Sequence, residues 1–267
     1  MKIGIVGCTG RMGRMLVQTV VNTEGAELAG GTERENSPFI GQDPAVVAGE
    51  VPSGAIITAN ADDLFAKADA VIDFTAPAAT IEHAKLAAKH GTGLVIGTTG
   101  LSGDDQAIIN EAAKSTTIIQ APNMSLGVNL AFALTEKVAS MLSDDWDIEI
   151  VEMHHKHKVD APSGTALGLG RAAAKGRGVD LDGVADKVRD GFTGERKKGD
   201  IGFATLRGGD VVGDHTVMFA IEGERFEITH KASSRVIFAR GAVTGALWTQ
   251  SAEAGLYDMQ DVLGLKD

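Results

Sequence analysis

Short apolar runs alternate with helical patterns through the first half of the chain. The stretch after the first run, for example, carries Met12, Leu16 and Val20 at helical spacing. Apolar runs without polar alternation are typical of parallel strands covered on both faces, so this half is predicted to be an α/β domain with a Rossmann-type, doubly wound parallel sheet. The predicted strands are Lys2–Val6, Ala26–Gly30, Ala70–Phe74, Gly93–Gly97 and Thr117–Gln120, and the predicted helices are 11–22, 78–90 and 104–114.

The pattern of apolar positions changes near Asn123. A long helix is predicted over 127–142 and another after Pro162-Ser163-Gly164, and the segments around them alternate apolar and polar residues. Alternation with period two is typical of half-buried strands in an antiparallel or mixed sheet. Strands are predicted at Asp147–Glu152, Ile201–Leu206, His215–Glu222 and Arg225–Ala232, and a helix is predicted over 241–254.

These two patterns predict two domains, for which a length of 267 residues is sufficient. Residues 1–125 form the Rossmann-type domain, and residues 126–240 form a second, mixed-sheet α/β domain. The C-terminal helical segment, 241–267, is predicted to return to the first domain.

A glycine-rich loop, Gly7-Cys8-Thr9-Gly10-Arg11-Met12-Gly13, lies between the first strand and the first helix. Such glycines allow a tight turn, close backbone approach to a pyrophosphate, and helix–strand packing. Glu33 follows the second strand, where an acid binds the adenosine ribose, and the adjacent Arg34 could attract the extra phosphate of NADP. The loop therefore predicts NADH, NADPH or both as cofactors. A glycine turn without a ligand, and a solvated Arg34, remain alternatives.

Two further loops follow predicted strands. Phe74–Pro77 and Gly97–Gly100 both lie where loops of a doubly wound sheet line a ligand crevice. Ordinary turns also use threonine, glycine and proline, so either loop alone is also compatible with a simple turn.

The segment His154-His155-Lys156-His157-Lys158 is the densest cluster of titratable residues. Histidine exchanges protons near neutral pH, and lysine can hold a carboxylate or donate a proton. Pro162-Ser163-Gly164-Thr165 then resembles a helix start with Ser163 as N-cap, and a helix N-terminus beside cations is a ready carboxylate site. Together these features predict a small anionic substrate with more than one carboxylate.

Two other interpretations of this cluster exist. Three histidines could bind zinc, but if the strand continues, His155 and His157 face one side and His154 faces the other. Flanking lysines also disfavour a cation, so no metal is predicted. A solvated basic loop is the second alternative.

Composition excludes several classes of protein. With 25 basic and 36 acidic residues the net charge is −11, which argues against a nucleic-acid partner. No apolar run is long enough for a membrane helix, and the N-terminus lacks the apolar stretch of a signal peptide. Cys8 is the single cysteine, which indicates a reducing compartment, and a cytoplasmic protein is predicted.

Several motifs along the chain together resemble one known family, the 4-hydroxy-tetrahydrodipicolinate reductases, also called dihydrodipicolinate reductases. The motifs are Gly7–Gly13, Asp73–Thr75, Val95–Gly100, Asn123, Ser125–Asn129, Glu152–Ala166, Gly194–Arg196, Ile201–Phe203, His230–Arg235 and Gly255–Met259. They span essentially the whole sequence. The resemblance implies a homotetramer assembled through the second domain. It also implies NADH- or NADPH-dependent reduction of a cyclic dicarboxylate, 4-hydroxy-tetrahydrodipicolinate, with loss of water, in diaminopimelate and lysine biosynthesis.

The resemblance also implies roles for individual residues. His154 corresponds to the catalytic histidine and Lys158 to the proton-donating lysine, while His155, Gly164 and Thr165 correspond to contacts with a substrate carboxylate. The implied cofactor contacts are Gly7, Cys8, Thr9, Gly10, Arg11, Met12, Glu33, Arg34, Gly97, Thr98, Thr99, Ala121, Pro122, Asn123 and Met124. Met124 departs from the family, in which an aromatic residue is common before the serine. If ring packing rather than backbone contact matters there, nicotinamide affinity would differ.

Two functions from other classes remain as alternatives. An amino-acid dehydrogenase acting on aspartate or homoserine would share the glycine loop but would not need the His154–Lys158 cluster. A non-catalytic NAD(P)-binding sensor would keep the first domain and lose proton-transfer residues, whereas His154 and Lys158 are both present here.

Overall fold

The computed structural model describes residues 1–266 of the chain. The chain forms two compact units, one made of Met1–Leu126 with Val236–Asp267 and the other of Gly127–Arg235. The second boundary falls before the predicted position near 240, because the tail helix begins at Val236. Val236, Ile237 and Phe238 have side chains typical of strands, and here packing overrides that local preference.

Strands and helices alternate through the first part of unit 1. Their bounds are β1 Lys2–Val6, α1 Arg11–Val21, β2 Glu27–Thr32, α2 Pro44–Val47, β3 Ile57–Thr58, α3 Ala61–Lys67, β4 Ala70–Asp73, α4 Pro77–His90, β5 Gly93–Ile96, α5 Gly103–Ala112 and β6 Thr117–Gln120. The strands and helices predicted for this half are confirmed, with ends shifted by a few residues at most. Elements α2, β3 and α3 lie in 31–69, where no element was predicted. Each is too short for its apolar positions to show a clear helix or strand period.

Unit 2 contains the elements of the second half. They are α6 Leu126–Met141, whose first residue belongs to unit 1, β7 Asp147–His154, α7 Gly164–Gly176, α8 Leu181–Val184, β8 Ala185–Asp186, β9 Ile201–Arg207, β10 Gly213–Ile221 and β11 Glu224–Ala232. The strand order is β11-β10-β7-β9-β8. Strand β7 is antiparallel to β10 and parallel to β9, so the sheet is mixed, as predicted.

The tail belongs to unit 1 and differs from its prediction at both ends. It comprises α9 Val236–Trp248, a 3-10 turn at Thr249–Ser251, β12 Gly255–Tyr257 and α10 Met259–Val262. The helix predicted over 241–254 therefore starts too late and ends too late. Strand β12 pairs in parallel with β6, and the sheet order becomes β12-β6-β5-β4-β1-β2-β3. Three residues are too few to show a strand period in the sequence.

The parallel sheet of unit 1 is covered on both faces, which explains its continuous apolar strands. One face packs against α1 and α9, through residues such as Leu16 and Ala242. The other packs against α3, α4 and α5, through residues such as Phe65 and Ile109. Each fully buried large side chain contributes roughly 1.5–3 kcal/mol of hydrophobic stabilisation. The loops at the carboxyl ends of β1, β4, β5 and β6 are thereby held by a rigid sheet.

The mixed sheet of unit 2 buries only one face, against α6 and α7. Along β7 the exposure alternates, and Ile148, Ile150, Glu152 and His154 all lie on the buried face. The first two belong to the apolar core. The buried face of β7 is therefore apolar at Ile148 and Ile150 and polar at Glu152 and His154, near the end of the strand. The candidate catalytic residues start at this end.

Candidate functional site

The glycine loop after β1 depends on positions that tolerate no side chain. Gly7 has a φ of +64°, a backbone conformation that residues other than glycine rarely adopt. A Cβ on Gly13 would lie 2.2 Å from the Gly7 carbonyl oxygen and 2.7 Å from the Cys8 backbone. Only glycine therefore lets α1 pack this closely against the loop, which is the role predicted for the third glycine.

Glu33, at the end of β2, contacts the loop directly. The backbone N–H and the hydroxyl of Thr9 both donate to Glu33 Oε1, at 3.0 and 2.6 Å. Burial and the charge of Glu33 raise the pKa of the Cys8 thiol to about 12, so this cysteine stays protonated and unreactive. Arg34 is exposed. The loop and the predicted ribose-binding acid thus lie together, with a cation beside them.

The geometry of this loop fits a dinucleotide. Helix α1 begins at Arg11, directly after Gly10, and has no acidic residue in its first turn. The first N–H groups of a helix have no partner within it, and they carry partial positive charge. A pyrophosphate is the type of group that such a turn binds. Gly7 to Met12, Glu33 and Arg34 are therefore suitably placed as cofactor residues.

A buried hydrogen-bond network joins the loops after β4 and β5. Asp73 accepts from the Thr75 hydroxyl at 2.6 Å and lies 2.8 Å from His83 Nδ1. Thr98 Oγ1 accepts from the Thr75 N–H at 3.1 Å and from the Thr80 hydroxyl at 2.9 Å. Although burial alone would raise it, these partners hold the pKa of Asp73 below its ordinary value. The carboxylate therefore stays ionised and fixes both loops.

A cleft of about 360 Å³ brings together two of the predicted cofactor segments. Thr98 and Thr99, after β5, and Ala121 and Pro122, after β6, all line it. Gly97 is required beside it, because a Cβ there would lie 2.3 Å from the Phe74 ring. The loops after β5 and β6 thus line one cleft at the carboxyl ends of these strands.

Asn123 and Met124 follow this cleft. Asn123 Oδ1 accepts from the Ser125 N–H at 2.9 Å and stabilises the turn before α6. The Met124 side chain is buried in the core of unit 1 with α9. Its carbonyl lies so close to Gly241 that a Cβ there could not fit. Met124 is thus a core side chain, and the departure from an aromatic residue is accommodated by core packing.

In unit 2, His154 occupies the last position of β7. Its Nδ1 lies 2.6 Å from Glu152 Oε2, and its ring lies edge-on to that of His215, with 5.0 Å between centroids. The ring is almost completely buried. His215 reaches this position from β10, where it is the register partner of Glu152.

The Glu152 carboxylate connects three parts of unit 2. Arg207, at the end of β9, donates from Nη1 to Oε2 at 2.7 Å and from Nη2 to Oε1 at 3.0 Å. The Ser163 N–H donates to Oε1 at 2.9 Å. Burial alone would raise the pKa of Glu152, but the hydrogen bonds from Arg207 and His154 hold it below its ordinary value. Glu152 is therefore ionised.

The predicted helix start after Pro162 is present. The Ser163 hydroxyl oxygen accepts from the Ala166 N–H at 3.1 Å as the N-cap of α7, and lies 3.0 Å from His215 Nε2. Burial and the neighbouring His154 lower the pKa of His215 to about 4, so this ring is neutral at neutral pH. A Cβ on Gly164 would meet nothing within 4 Å. The helix N-terminus is therefore accessible to a carboxylate.

The residues after His154 form a turn, not a continued strand. The His155 N–H donates to the Val211 carbonyl at 2.7 Å, and the Lys158 N–H donates to the His155 carbonyl at 3.1 Å. β7 ends at His154, so the strand does not continue, and the alternation of His154, His155 and His157 expected for a continued strand is wrong. Lys158 Nζ donates to Asp160 at 2.8 Å, and this lysine holds the pKa of Asp160 low.

His155 lies at the edge of this cluster. Burial and the charge of Arg235 lower its pKa. Its ring lies 6.1 Å from that of His157. Across residues 1–266 no group of three or more histidine, cysteine or acidic side chains is placed to hold a metal ion. Within the same residues, no helix is long and apolar enough to cross a membrane.

Two family models match successive parts of the chain. The model described as dihydrodipicolinate reductase, N-terminus, matches residues 1–124, and the model for the C-terminus matches residues 127–263. The chain belongs to the dihydrodipicolinate reductase family. The resemblance inferred from the sequence motifs is therefore confirmed.

Other members of the family align over nearly their whole lengths. A 4-hydroxy-tetrahydrodipicolinate reductase of Ruegeria sp. (strain TM1040) is 57% identical over 263 residues, covering 98% of each chain. A protein of the same name from Sinorhizobium fredii is 57% identical over 266 residues, covering 99% of this chain and 98% of the relative. The predicted class, an NAD(P)-dependent oxidoreductase, is confirmed, and the amino-acid dehydrogenase and sensor alternatives are disfavoured.

Solved structures support the predicted fold. A dipicolinate-bound dihydrodipicolinate reductase from Paenisporosarcina sp. TG-14 matches with a TM-score of 0.76 and 25% identity, over 98% of each chain. An amine dehydrogenase from Mycobacterium smegmatis matches with a TM-score of 0.60 and 12% identity, which shows a common fold alone. The Rossmann-type parallel sheet with a second mixed-sheet domain is confirmed.

Three charged or polar residues of this family member were missed by sequence reasoning. Glu152, Arg207 and His215 surround His154 but were not predicted as site residues. The sequence does contain a sign of two of them. Glu152 and His215 occupy buried positions of period-two strands, where an apolar residue is expected. Nothing in the sequence marks Arg207 as a site residue. It lies at the end of β9, and the pairing of β9 with β7 is known only from the fold.

Proposed function

We propose that this chain reduces 4-hydroxy-tetrahydrodipicolinate to tetrahydrodipicolinate, within diaminopimelate and lysine biosynthesis. One NADH or NADPH and one proton are consumed for each substrate, and NAD⁺ or NADP⁺ and one water are released. The names of its relatives support this reaction. The structural observation that carries it is His154, paired with buried Glu152, beside the accessible N-terminus of α7.

The residues of unit 1 are assigned to the nicotinamide cofactor. The reduced cofactor supplies the hydride when bound. The loop Gly7-Cys8-Thr9-Gly10-Arg11-Met12 holds the pyrophosphate through backbone N–H groups, and Glu33 accepts hydrogen bonds from the adenosine ribose. Arg34 provides a charge for the extra phosphate of NADPH. The cleft segments Gly97–Thr99 and Ala121–Met124 provide the remaining contacts.

The residues of unit 2 are assigned to the substrate. The N-terminus of α7, at Ser163, Gly164 and Thr165, holds one carboxylate, and His155 contacts it from the turn after β7. His154 and Lys158 supply the proton for the ring as charge develops on it. Lys158 is paired with Asp160 on the protein surface, and a bound substrate carboxylate would compete for the same ammonium group.

A homotetramer assembled through unit 2 is also proposed, because the family resemblance implies it. The mixed sheet of unit 2 supports this proposal. Among the described residues, helices cover one face of this sheet, and the other face carries apolar side chains, including exposed Leu206 on β9 and its register partner on β7, the partly buried Met153. Such a face is suited to bury itself against a second copy. Light scattering on a size-exclusion column would measure the mass, and a monomer at working concentration would contradict the proposal.

A cytoplasmic location is also proposed. The single cysteine, Cys8, cannot form an intrachain disulfide, and burial raises its pKa so that the thiol stays protonated. Fluorescence of a tagged chain in living cells would test this location.

A coupled absorbance assay tests the reaction. Pyruvate and aspartate semialdehyde are condensed by the upstream synthase, and the purified chain is then added with NADH or NADPH in separate cuvettes. We expect synthase-dependent oxidation of the cofactor, detected as loss of the absorbance of reduced nicotinamide. Reactions without synthase measure background oxidation. Binding of the cofactor without oxidation, in the presence of active synthase, would contradict the proposed function.

A further inference from the structure

Glu152 is a buried charge in a place where the fold provides an apolar face. Its side chain is 1% exposed, and it follows Ile148 and Ile150 along the inward face of β7. Burying an ionised carboxylate costs several kcal/mol unless hydrogen bonds and an opposite charge compensate. An apolar residue here would continue the core at no such cost. The carboxylate therefore calls for an explanation other than packing.

Its contacts lead to the catalytic histidine and to the substrate turn at once. Oε2 lies 2.6 Å from His154 Nδ1, and Oε1 accepts from the Ser163 N–H at 2.9 Å. Arg207 donates to both oxygens and also to the Asp160 carbonyl, which lies in the loop that leads to Ser163. One carboxylate thus links the proposed proton donor and the proposed carboxylate site.

The chemistry of the pair determines which ring nitrogen of His154 carries hydrogen. An ionised carboxylate can only accept, so the hydrogen bond at 2.6 Å requires a proton on Nδ1. In the neutral ring, Nε2 then carries the lone pair, and in the charged ring it carries the transferable proton. Gly213 lies beside Nε2, where a Cβ would be 3.0 Å away, so the absence of a side chain leaves room at this nitrogen.

From these contacts we infer that Glu152 is a positioning residue: it holds His154 as the Nδ1–H tautomer and fixes the Ser163 turn relative to that ring. Arg207 compensates the buried charge by donating to both oxygens of the carboxylate. The tautomer follows from the contacts alone, whereas its consequence for turnover rests on the proposed function.

Other charged and titratable groups near His154 do not replace Glu152 in this role. His215 meets the ring edge-on from β10, and Arg207 is directed to the carboxylate. His155 and Lys158 lie in the turn that follows, where Lys158 is paired with Asp160. The pair of Glu152 with the Nδ1 of His154 therefore controls the tautomer.

Nuclear magnetic resonance of the unaltered protein tests the first part of the inference. In ¹⁵N-labelled full-length chain, two-bond ¹H–¹⁵N correlations distinguish Nδ1–H from Nε2–H rings in slightly alkaline buffer. The chain has 7 histidines, and the spectrum of His154→Gln identifies the resonances of His154. We expect the Nδ1–H pattern. An Nε2–H pattern in the unaltered protein would overturn the inference without the need for any variant.

Glu152→Gln tests the second part. Its amide N–H would donate to Nδ1, so we expect His154 to change to the Nε2–H tautomer. Turnover should fall on the order of 100-fold, a typical contribution of a correctly protonated catalytic group. KM for the cyclic substrate should rise by a smaller factor, and cofactor affinity should be unchanged. A retained Nδ1–H tautomer with unchanged kcat would overturn the inference.

Glu149→Gln is the matched control. Glu149 lies on the same strand and is also paired with arginines, since Arg189 donates to both its oxygens at 2.8 Å and Arg196 donates at 2.8 Å. Its hydrogen-bond partners described above are arginines, and its side chain lies on the opposite face of β7 from His154. In Glu149→Gln we expect the tautomer of His154 and the value of kcat to match those of the unaltered chain. An equal loss of kcat in both variants would assign the effect to lost ion pairs and overturn the positioning role.

The two proposals fail separately. If the unaltered chain shows the Nδ1–H tautomer but oxidises no cofactor in the coupled assay, the proposed reaction fails and the tautomer assignment stands. If the reaction proceeds and His154 carries its hydrogen on Nε2, the proposed function stands and the role of Glu152 fails.

Discussion

The glycine loop of unit 1 and the histidine segment of unit 2 achieve specificity in opposite ways. In the loop, the decisive positions lack side chains, and a single Cβ on Gly13 would overlap the backbone of Gly7 and Cys8. In the histidine segment, the decisive positions carry buried charge, and Glu152 is held by Arg207 and by His154. The loop depends on shape and exposed backbone, and the segment depends on the protonation of side chains.

This difference predicts how each region fails. Adding atoms to the loop should disturb packing, stability and cofactor binding together. Changing a proton-transfer residue should leave the fold and the cofactor site intact and reduce turnover. Single substitutions in the two regions therefore separate these outcomes.

Lys158→Ala should reduce kcat by roughly 100- to 10,000-fold, the range in which proton transfer by a side chain contributes. Lys158 is in the turn after β7, with its ammonium group on Asp160, so its loss should not disturb the core of either unit. Cofactor affinity, measured by the fluorescence of bound reduced nicotinamide, should be largely unchanged. Strong loss of cofactor affinity with normal turnover would contradict the role of this lysine.

Gly13→Ala should lower the free energy of unfolding by about 3 kcal/mol, the upper range for overpacking, and should weaken cofactor binding at the same time. The added Cβ would lie 2.2 Å from the Gly7 carbonyl oxygen, so the loop must shift. Gly103→Ala is the control, because a Cβ at this first position of α5 would meet nothing within 4 Å. Denaturant unfolding and cofactor titration measure both effects. Equal behaviour of the two variants would refute the steric argument.

His215→Asn should flatten the dependence of stability on pH. The pKa of His215 is lowered from 6.5 to about 4 in the folded chain. As the pH falls through 6.5 the unfolded chain takes up a proton that the folded chain does not, so stability is lost between these two values. The loss amounts to at most about 3 kcal/mol.

Urea unfolding between pH 7 and pH 4 measures this effect, with exposed His157→Asn as control. The unaltered chain should lose more stability across the interval than the His215 variant. Identical slopes for the two would show that His215 is not held neutral.

Arg34→Ala should change cofactor preference by the smallest amount. Arg34 is exposed beside Glu33, and an exposed charge contributes about 1 kcal/mol at most, or roughly fivefold in affinity. The ratio of kcat/KM for NADPH to that for NADH should fall, and added salt should reduce the difference. Lys114→Ala removes another exposed cation of the same unit and should leave the ratio unaltered. A ratio that does not change in Arg34→Ala would indicate a solvated side chain.

The sequence pattern was sufficient for most elements of unit 1 and for its cofactor loop. Strands β4 and β5 consist of residues that are all buried, and such runs are readable because both faces must be apolar. The loop Gly7–Gly13 is contiguous, so its geometry follows from neighbours in the chain. The tail was harder to predict, because α9 begins with strand-forming residues and β12 has three residues.

The surroundings of His154 could be predicted only in part. The cluster His154–Lys158 and the N-cap Ser163 are local features, and within them His154, His155, Lys158 and Ser163 were predicted as site residues. The contacts of Arg207 and His215 depend on strand register, since β9 places Arg207 opposite His154 and β10 places His215 opposite Glu152. Register between strands far apart in the chain is not encoded in any local pattern.

The amino-acid sequence by itself determined the α/β class, the glycine loop and the family, because each depends on contiguous residues or on motifs distributed along the chain. The tertiary structure alone decided that β7 ends at His154 and that Glu152 is buried against Arg207 and Ser163. The physical reason is that a charge can be buried only where partners from other strands and loops surround it, and those partners meet only in the folded chain.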